Sequence, residues 1–179
     1  MRSDDTKVIW KEAEADRFGV FTDTASYFHA AREAILSARR EVILLGWDLH
    51  TKAALVRGED AIEGEPVHVG KVLEHALEQN QDLHIHLLMW DFSMVYALER
   101  EWRWFSKTLR DPHPRLHFHM DDQLPAGASH HQKVMVVDGA LGFAGGLDLS
   151  VWRWDTRERI RNDPRRVDPY VEPEHRLIR

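Results

Sequence analysis

Apolar residues recur along this chain in two alternating rhythms. Phe28, Ala31, Ile35 and Ala38 fall three and four positions apart, the spacing of one helix face, and predict a helix over 25–40 with Thr24 as its cap. Val42, Ile43, Leu44 and Leu45 then run without a polar break. A strand over 41–47 that is apolar on both sides reads as a parallel strand covered by helices. The alternation repeats after a polar loop near 57–64. Val69, Val72, Leu73, Ala76 and Leu77 form a second helical stripe, and 83–90 supplies a second strand. A third helix is predicted over 95–109 and a third strand over 115–120, reached through Pro112 and Pro114. This order predicts an α/β layered domain with a mostly parallel sheet.

The last third of the chain breaks the pattern. A loop over 121–129 leads into residues 129–149, SHHQKVMVVDGALGFAGGLDL. The apolar run 134–137 reads as a strand. Extended backwards at a two-residue period, it puts His131 and Lys133 on one face and turns His130 away. Asp138-Gly139 reads as a tight turn and 141–144 as a short antiparallel return strand. Gly145-Gly146 reads as backbone passing close to something, and a carboxylate, Asp148, follows at once. An imidazole and an ammonium at the mouth of a strand suit attack on a phosphate ester. The ester is anionic, so an approaching nucleophile needs its charge compensated, which a lysine does as the transition state forms. Imidazole near neutral pH serves as nucleophile or as proton donor to the leaving alkoxide. One histidine cannot easily do both at the same instant.

Composition narrows the class. A chain of 179 residues, 43% apolar and with seven tryptophans, is sized for one packed domain. Its apolar runs fall far short of the roughly 20 residues that cross a bilayer, and the start MRSDDTKVIW has no signal-peptide core. The predicted location is therefore cytoplasmic or membrane-associated. The absence of cysteine excludes disulfides and thiolate chemistry. A formal charge of −6 argues against a broad nucleic-acid surface and leaves room for a local phosphate pocket.

The run His131, Lys133, Asp138, Gly145, Gly146, Asp148 resembles the HKD motif of the phospholipase D superfamily. Its Gly-Gly-any-Asp-Leu ending and the segment Arg153, Trp154, Asp155, Thr156 resemble the phospholipase D and cardiolipin-synthase-like branch. The resemblance implies a phospholipase D-like layered α-β-α domain, with a mixed, mostly parallel sheet flanked by helices. It also implies an active centre of two facing HKD motifs, without cofactor or metal. One motif's histidine forms a phosphohistidine, and the opposite one protonates the leaving alcohol. On that footing His131 is nucleophile or general acid, with family precedent leaning towards nucleophile. Lys133 holds non-bridging phosphate oxygens, while Gly145, Gly146 and Ser150 lie against substrate. Asp148 belongs to the pocket, and Asp138 supports it by fixing a charged partner or the turn.

Only one full motif is present. His50-Thr51-Lys52 has Arg57 where the aspartate belongs and no glycine pair. Residues 1–179 therefore read as one domain resembling the N-terminal half of a longer two-motif protein; a single-motif homodimer is the competing account. The implied partners are a phospholipid or other phosphodiester, a second HKD domain, and peripheral contact with a membrane. Alternatives are a nucleic-acid phosphodiesterase of the same superfamily and a non-catalytic phosphate-binding or dimerisation domain. The dipeptides Trp47-Asp48 and Trp90-Asp91 read as core caps followed by loop starts. His84, His86, His117 and His119 read as exposed or hydrogen-bonded strand positions rather than metal ligands. Trp102 and Trp104 fall on different faces of the third helix, and 157–166 reads as a solvated charged segment.

Overall fold

The computed structural model describes residues 11–90, 113–121, 123–125 and 128–167. The predicted helix over 95–109 lies outside them, as do Trp102, Trp104 and Asp91. Helix α1 spans Thr24–Ser37. Its cap is Asp23, not Thr24: the Asp23 carboxylate accepts the Ser26 N–H at 2.7 Å. Thr24 is the first helical residue, and its hydroxyl donates to the Arg153 carbonyl at 2.5 Å and accepts the Asp155 N–H at 2.7 Å. A long-range partner thus claims the hydroxyl that a local reading assigns to the cap. The helix stops before the predicted Arg40 because the Arg39 and Arg40 N–H groups point at the Asp138 carboxylate instead of back along the helix.

Strands β1 (Glu41–Gly46), β2 (His84–Trp90), β3 (Leu116–Asp121), β4 (Val134–Val137) and β5 (Leu141–Ala144) form one sheet in the order β3-β2-β1-β4-β5. The first three are parallel; β4 and β5 are antiparallel additions. The fold is α/β with a mixed, mostly parallel sheet and helices packed on it. Helix α2 (Val69–Gln79) crosses between β1 and β2. Its C-terminal end is closed by Arg115, whose guanidinium donates to the carbonyls of Leu77, Asn80 and Leu83 at 2.5–3.1 Å.

The core lies between the sheet and the two described helices. Phe28 and Ile35 of α1 and Val72, Leu73 and Leu77 of α2 bury against Val42, Leu44, Ile85, Leu87, Met135 and Val137. Each large side chain contributes about 2–3 kcal/mol by leaving water. Ile43 and Leu45 face the other way and are half-buried, so among the described residues β1 is covered fully on one side. That second face also carries a histidine ladder. His86 pairs with His117 across β2 and β3, their rings 4.5 Å apart. His84 Nδ1 lies 2.9 Å from His117 Nε2, with ring planes within 5° and centroids 5.3 Å apart. The centroid distance is that of two rings meeting edge to edge through one N–H···N bond. No described helix is long and apolar enough to cross a membrane.

Candidate active site

The carboxyl ends of β1 and β2 and the start of β4 meet at one end of the sheet, where α/β folds open crevices for ligands. Lys133 immediately precedes β4, and its carbonyl still accepts the Gly145 N–H at 3.1 Å, so it is held on the hairpin. Its side chain is buried. The ammonium lies 3.1 Å from Asp148 Oδ2, both side chains being no more than 6% exposed, and it reaches the His131 carbonyl at 3.4 Å. A buried cation needs such a partner, because an unpaired one costs several kcal/mol.

Asp148 is held from its other oxygen. Oδ1 accepts the Trp47 N–H at 2.9 Å and the Asp48 N–H at 3.3 Å, just where the chain leaves β1. The close fit requires Gly46: a β-carbon there would sit 3.0 Å from Asp148 Oδ1 and 3.3 Å from both the Asp48 carbonyl and Met89 Sδ. Two further bonds fasten the same segments together. Ser150 Oγ donates to Asp48 Oδ2 at 2.5 Å, and the His50 N–H donates to the Leu149 carbonyl at 3.2 Å. His50-Thr51-Lys52 is therefore a turn against the end of the motif, with the Lys52 N–H bonded to His50 Nδ1 at 3.2 Å.

The expectation that His131 and Lys133 share one face needs correction. Strand alternation extends back only to Lys133; before it the chain leaves the ladder, and it is His130 that is buried while His131 is exposed. The His130 Nδ1 has no hydrogen-bond partner among the described residues. The His131 ring instead stands edge-on to Trp47, centroids 6.2 Å apart, and Trp47 in turn stacks on Trp90 at 5.6 Å. His131 thus reaches the Lys133 end of the sheet through an aromatic wall. Tyr27 borders the same region. Burial, with the nearby Asp148 carboxylate, pushes its phenol up to about 12.

The structure gathers His131, Lys133, Asp148 and Ser150 at one end, with Gly145 and Gly146 on the adjoining surface. A β-carbon on either glycine would meet nothing within 4 Å, so packing inside this chain does not demand them. Asp138 is not brought to this end. It lies beyond the opposite end of β4, five residues or about 16 Å from Lys133 at strand spacing. There, with φ 55°, it accepts the N–H groups of Arg39, Arg40 and Glu41 at 2.7–3.0 Å. Burial alone raises its pKa, but those three donors and the Arg40 guanidinium outweigh it and leave the carboxyl below its ordinary value. Residues the motif does not name also shape the site: Gly46, the Trp47 and Asp48 amides, and the Trp47–Trp90 stack. The repeated Trp-Asp dipeptide at two strand ends was their only trace in the sequence.

A family model described as Phospholipase D matches residues 34–162. The chain belongs to the phospholipase D family. It is 30% identical to Phospholipase D C of Dictyostelium discoideum over 145 residues and 33% identical to Phospholipase D2 of Bos taurus over 137 residues. Each alignment covers 75% of the chain but only 8% and 14%, respectively, of those much longer relatives. Among solved structures, NucT from Helicobacter pylori superposes with a TM-score of 0.53 at 12% identity, covering 73% of this chain and 71% of that one. That likeness concerns the fold. Within the phospholipase D family, this chain carries one motif, with its histidine, lysine and second aspartate at a single sheet end.

Proposed function

We propose that this chain supplies one half of a phosphodiesterase site that hydrolyses a phospholipid or transfers its phosphatidyl group. The observation that carries the reading is the buried Lys133–Asp148 pair beside an exposed imidazole, His131. In this mechanism a His131 ring nitrogen attacks phosphorus. The bond from phosphorus to the leaving alcohol breaks, and the departing oxygen takes a proton from the histidine of a second HKD motif. That second histidine then deprotonates water or an acceptor alcohol, which attacks the phosphohistidine and releases His131. Lys133 has three N–H donors; one is directed at Asp148 and one at the His131 carbonyl, and the third meets a non-bridging oxygen. Asp148 acts through Lys133, since a carboxylate touching the phosphate would repel it. Gly145, Gly146 and Ser150 border the substrate, and Asp138 supports the hairpin from its far end. The second motif comes from the same longer protein or from a second copy.

Relatives named phospholipase D favour a lipid over a nucleic acid, as does the formal charge of −6. The test is turnover of phosphatidylcholine and of a chromogenic phosphodiester, with molar mass measured by light scattering on the same sample. Activity in a dimer that disappears in His131→Ala supports a composite site. Activity that survives His131→Ala refutes the assignment, and a dimer with no turnover favours a non-catalytic phosphate-binding module.

A further inference from the structure

An apolar trough of about 1630 Å³ runs beside the catalytic end, between residues 17–23, α1 and the edge strand β5. Phe18, Val20, Phe21, Phe143 and Leu147 line it. Phe21 lies 6.2 Å from Phe143 and 6.1 Å from Tyr27, which gives the trough a packed aromatic floor. Phe18 and Val20 have no such cover: they are 91% and 74% exposed. Contiguous apolar surface of this kind marks a contact site.

The charges around it name the contact. Arg17, Arg153 and Arg159 stand in the lining, and none has an ion-pair partner among the described residues. Of the acids in the same lining, Asp155 is paired with Arg166 at 2.9 Å, Glu33 shares Arg32 with Glu65, and Asp23 accepts the Ser26 N–H at the start of α1. A chain with formal charge −6 therefore places three arginines that have no ion-pair partner among the described residues around its exposed apolar segment, against Asp23 and a Glu33 that has half of one guanidinium. Apolar side chains interleaved with arginine fit the headgroup–acyl boundary of an anionic bilayer.

The trough also joins the site. Gly145, Gly146 and Val134 line its end, and Gly145 is bonded to Lys133 through the backbone. The absent β-carbons of the glycine pair leave that end open. We propose that the trough seats the chain on a membrane carrying anionic phospholipid, with Phe18 and Val20 inserted, Arg17, Arg153 and Arg159 on headgroups, and the glycine pair facing the lipid that Lys133 receives. The proposal rests on the lipid reading of the site and gives that reading a docking surface.

The test is flotation of the full chain with vesicles of phosphatidylcholine alone and of phosphatidylcholine mixed with phosphatidylglycerol. Binding to the mixed vesicles is expected, weakening with salt. The double variant Phe18→Ser, Val20→Ser should lower it about tenfold or more, and Arg159→Gln about fivefold. Both sites are exposed, so circular dichroism should show folded protein. Equal binding by wild type and double variant, or no binding by wild type, overturns the proposal. So does a dimer that the double variant dissociates, because the trough would then hold a second copy. Turnover separates this from the catalytic reading. The double variant should lose turnover on vesicles while matching wild type on the chromogenic diester. If wild type is a dimer that turns over neither substrate yet binds as expected, the docking surface stands and the catalytic reading falls.

Discussion

The two ends of β1 are gripped by two aspartates of one motif, and the grips differ. Asp138 takes three N–H groups at the start of the strand, and Asp148 takes two where the chain leaves it. Both fasten the β4–β5 hairpin to its neighbour. Only Asp148 also holds a buried ammonium, and that ammonium stands at the exposed histidine's end. The same side chain chemistry therefore serves as a fastening at one end and as a fastening plus charge placement at the other. A motif read as a set of reacting groups conflates these two uses.

Mutation separates them. The largest effect is expected for Asp148→Ala, which strands a buried Lys133 and frees two amides: about 3–5 kcal/mol lost in urea unfolding, with turnover abolished. Lys133→Met in the same assay removes turnover and should cost less stability than Asp148→Ala, because the Asp148 carboxylate left behind keeps its two amide donors from Trp47 and Asp48. If Lys133→Met unfolds the protein as badly as Asp148→Ala, the charge at this end is structural and the contrast with Asp138 collapses. Gly46→Ala drives a methyl against Asp148 Oδ1 and should cost about 1–3 kcal/mol; turnover should fall with it, because the displaced group orients Lys133. Asp138→Ala should cost a similar 1–3 kcal/mol through three lost hydrogen bonds to a carboxylate, yet leave turnover per folded molecule within a few-fold of wild type. A hundredfold loss of turnover in that variant, with folding intact, would make both ends catalytic.

Acid sharpens the comparison further. The Asp138 carboxyl lies below its ordinary value in the folded chain, so the unfolded chain binds the proton more readily. The stability it adds is present above the unfolded value near 3.8 and is lost as pH falls through the lower folded value. His117 acts in a separate window. Burial, then the neighbouring His86, His84 and His119, lowers its pKa from 6.5, so folding again disfavours the proton, and stability should drop as pH falls below 6.5. Thermal melts across pH should show two limbs, and His117→Gln should flatten the upper one alone. Persistence of both limbs in that variant would place the upper one elsewhere.

Much of this was legible in the chain. Apolar spacing located β1, β2, β4 and both described helices, because their inward positions are what periodicity records, while the prolines before β3 and the Asp138-Gly139 turn before β5 marked those two strands, which bury no side chain fully. The motif located Lys133 and Asp148. What escaped were contacts made by groups every residue carries. The amides of Trp47 and Asp48 hold Asp148, and those of Arg39, Arg40 and Glu41 hold Asp138, but no letter in a sequence announces an amide's partner. Asp23 displaced Thr24 as cap because Thr24 is bonded to residues about 130 positions away. His131 is exposed while Lys133 is buried because the ladder stops at Lys133, and period two has meaning only inside a ladder.

Asp138 and Asp148 stand ten residues apart in sequence, and between their anchoring points lie the six residues of β1, about 20 Å of strand. The interval thus works as a gauge. A residue inserted between Leu141 and Leu147 would let one carboxylate reach its amides only by pulling the other away. The motif's fixed spacing is then a tolerance on length, set by the strand it spans, and the chemistry at one end inherits its alignment from a turn at the other.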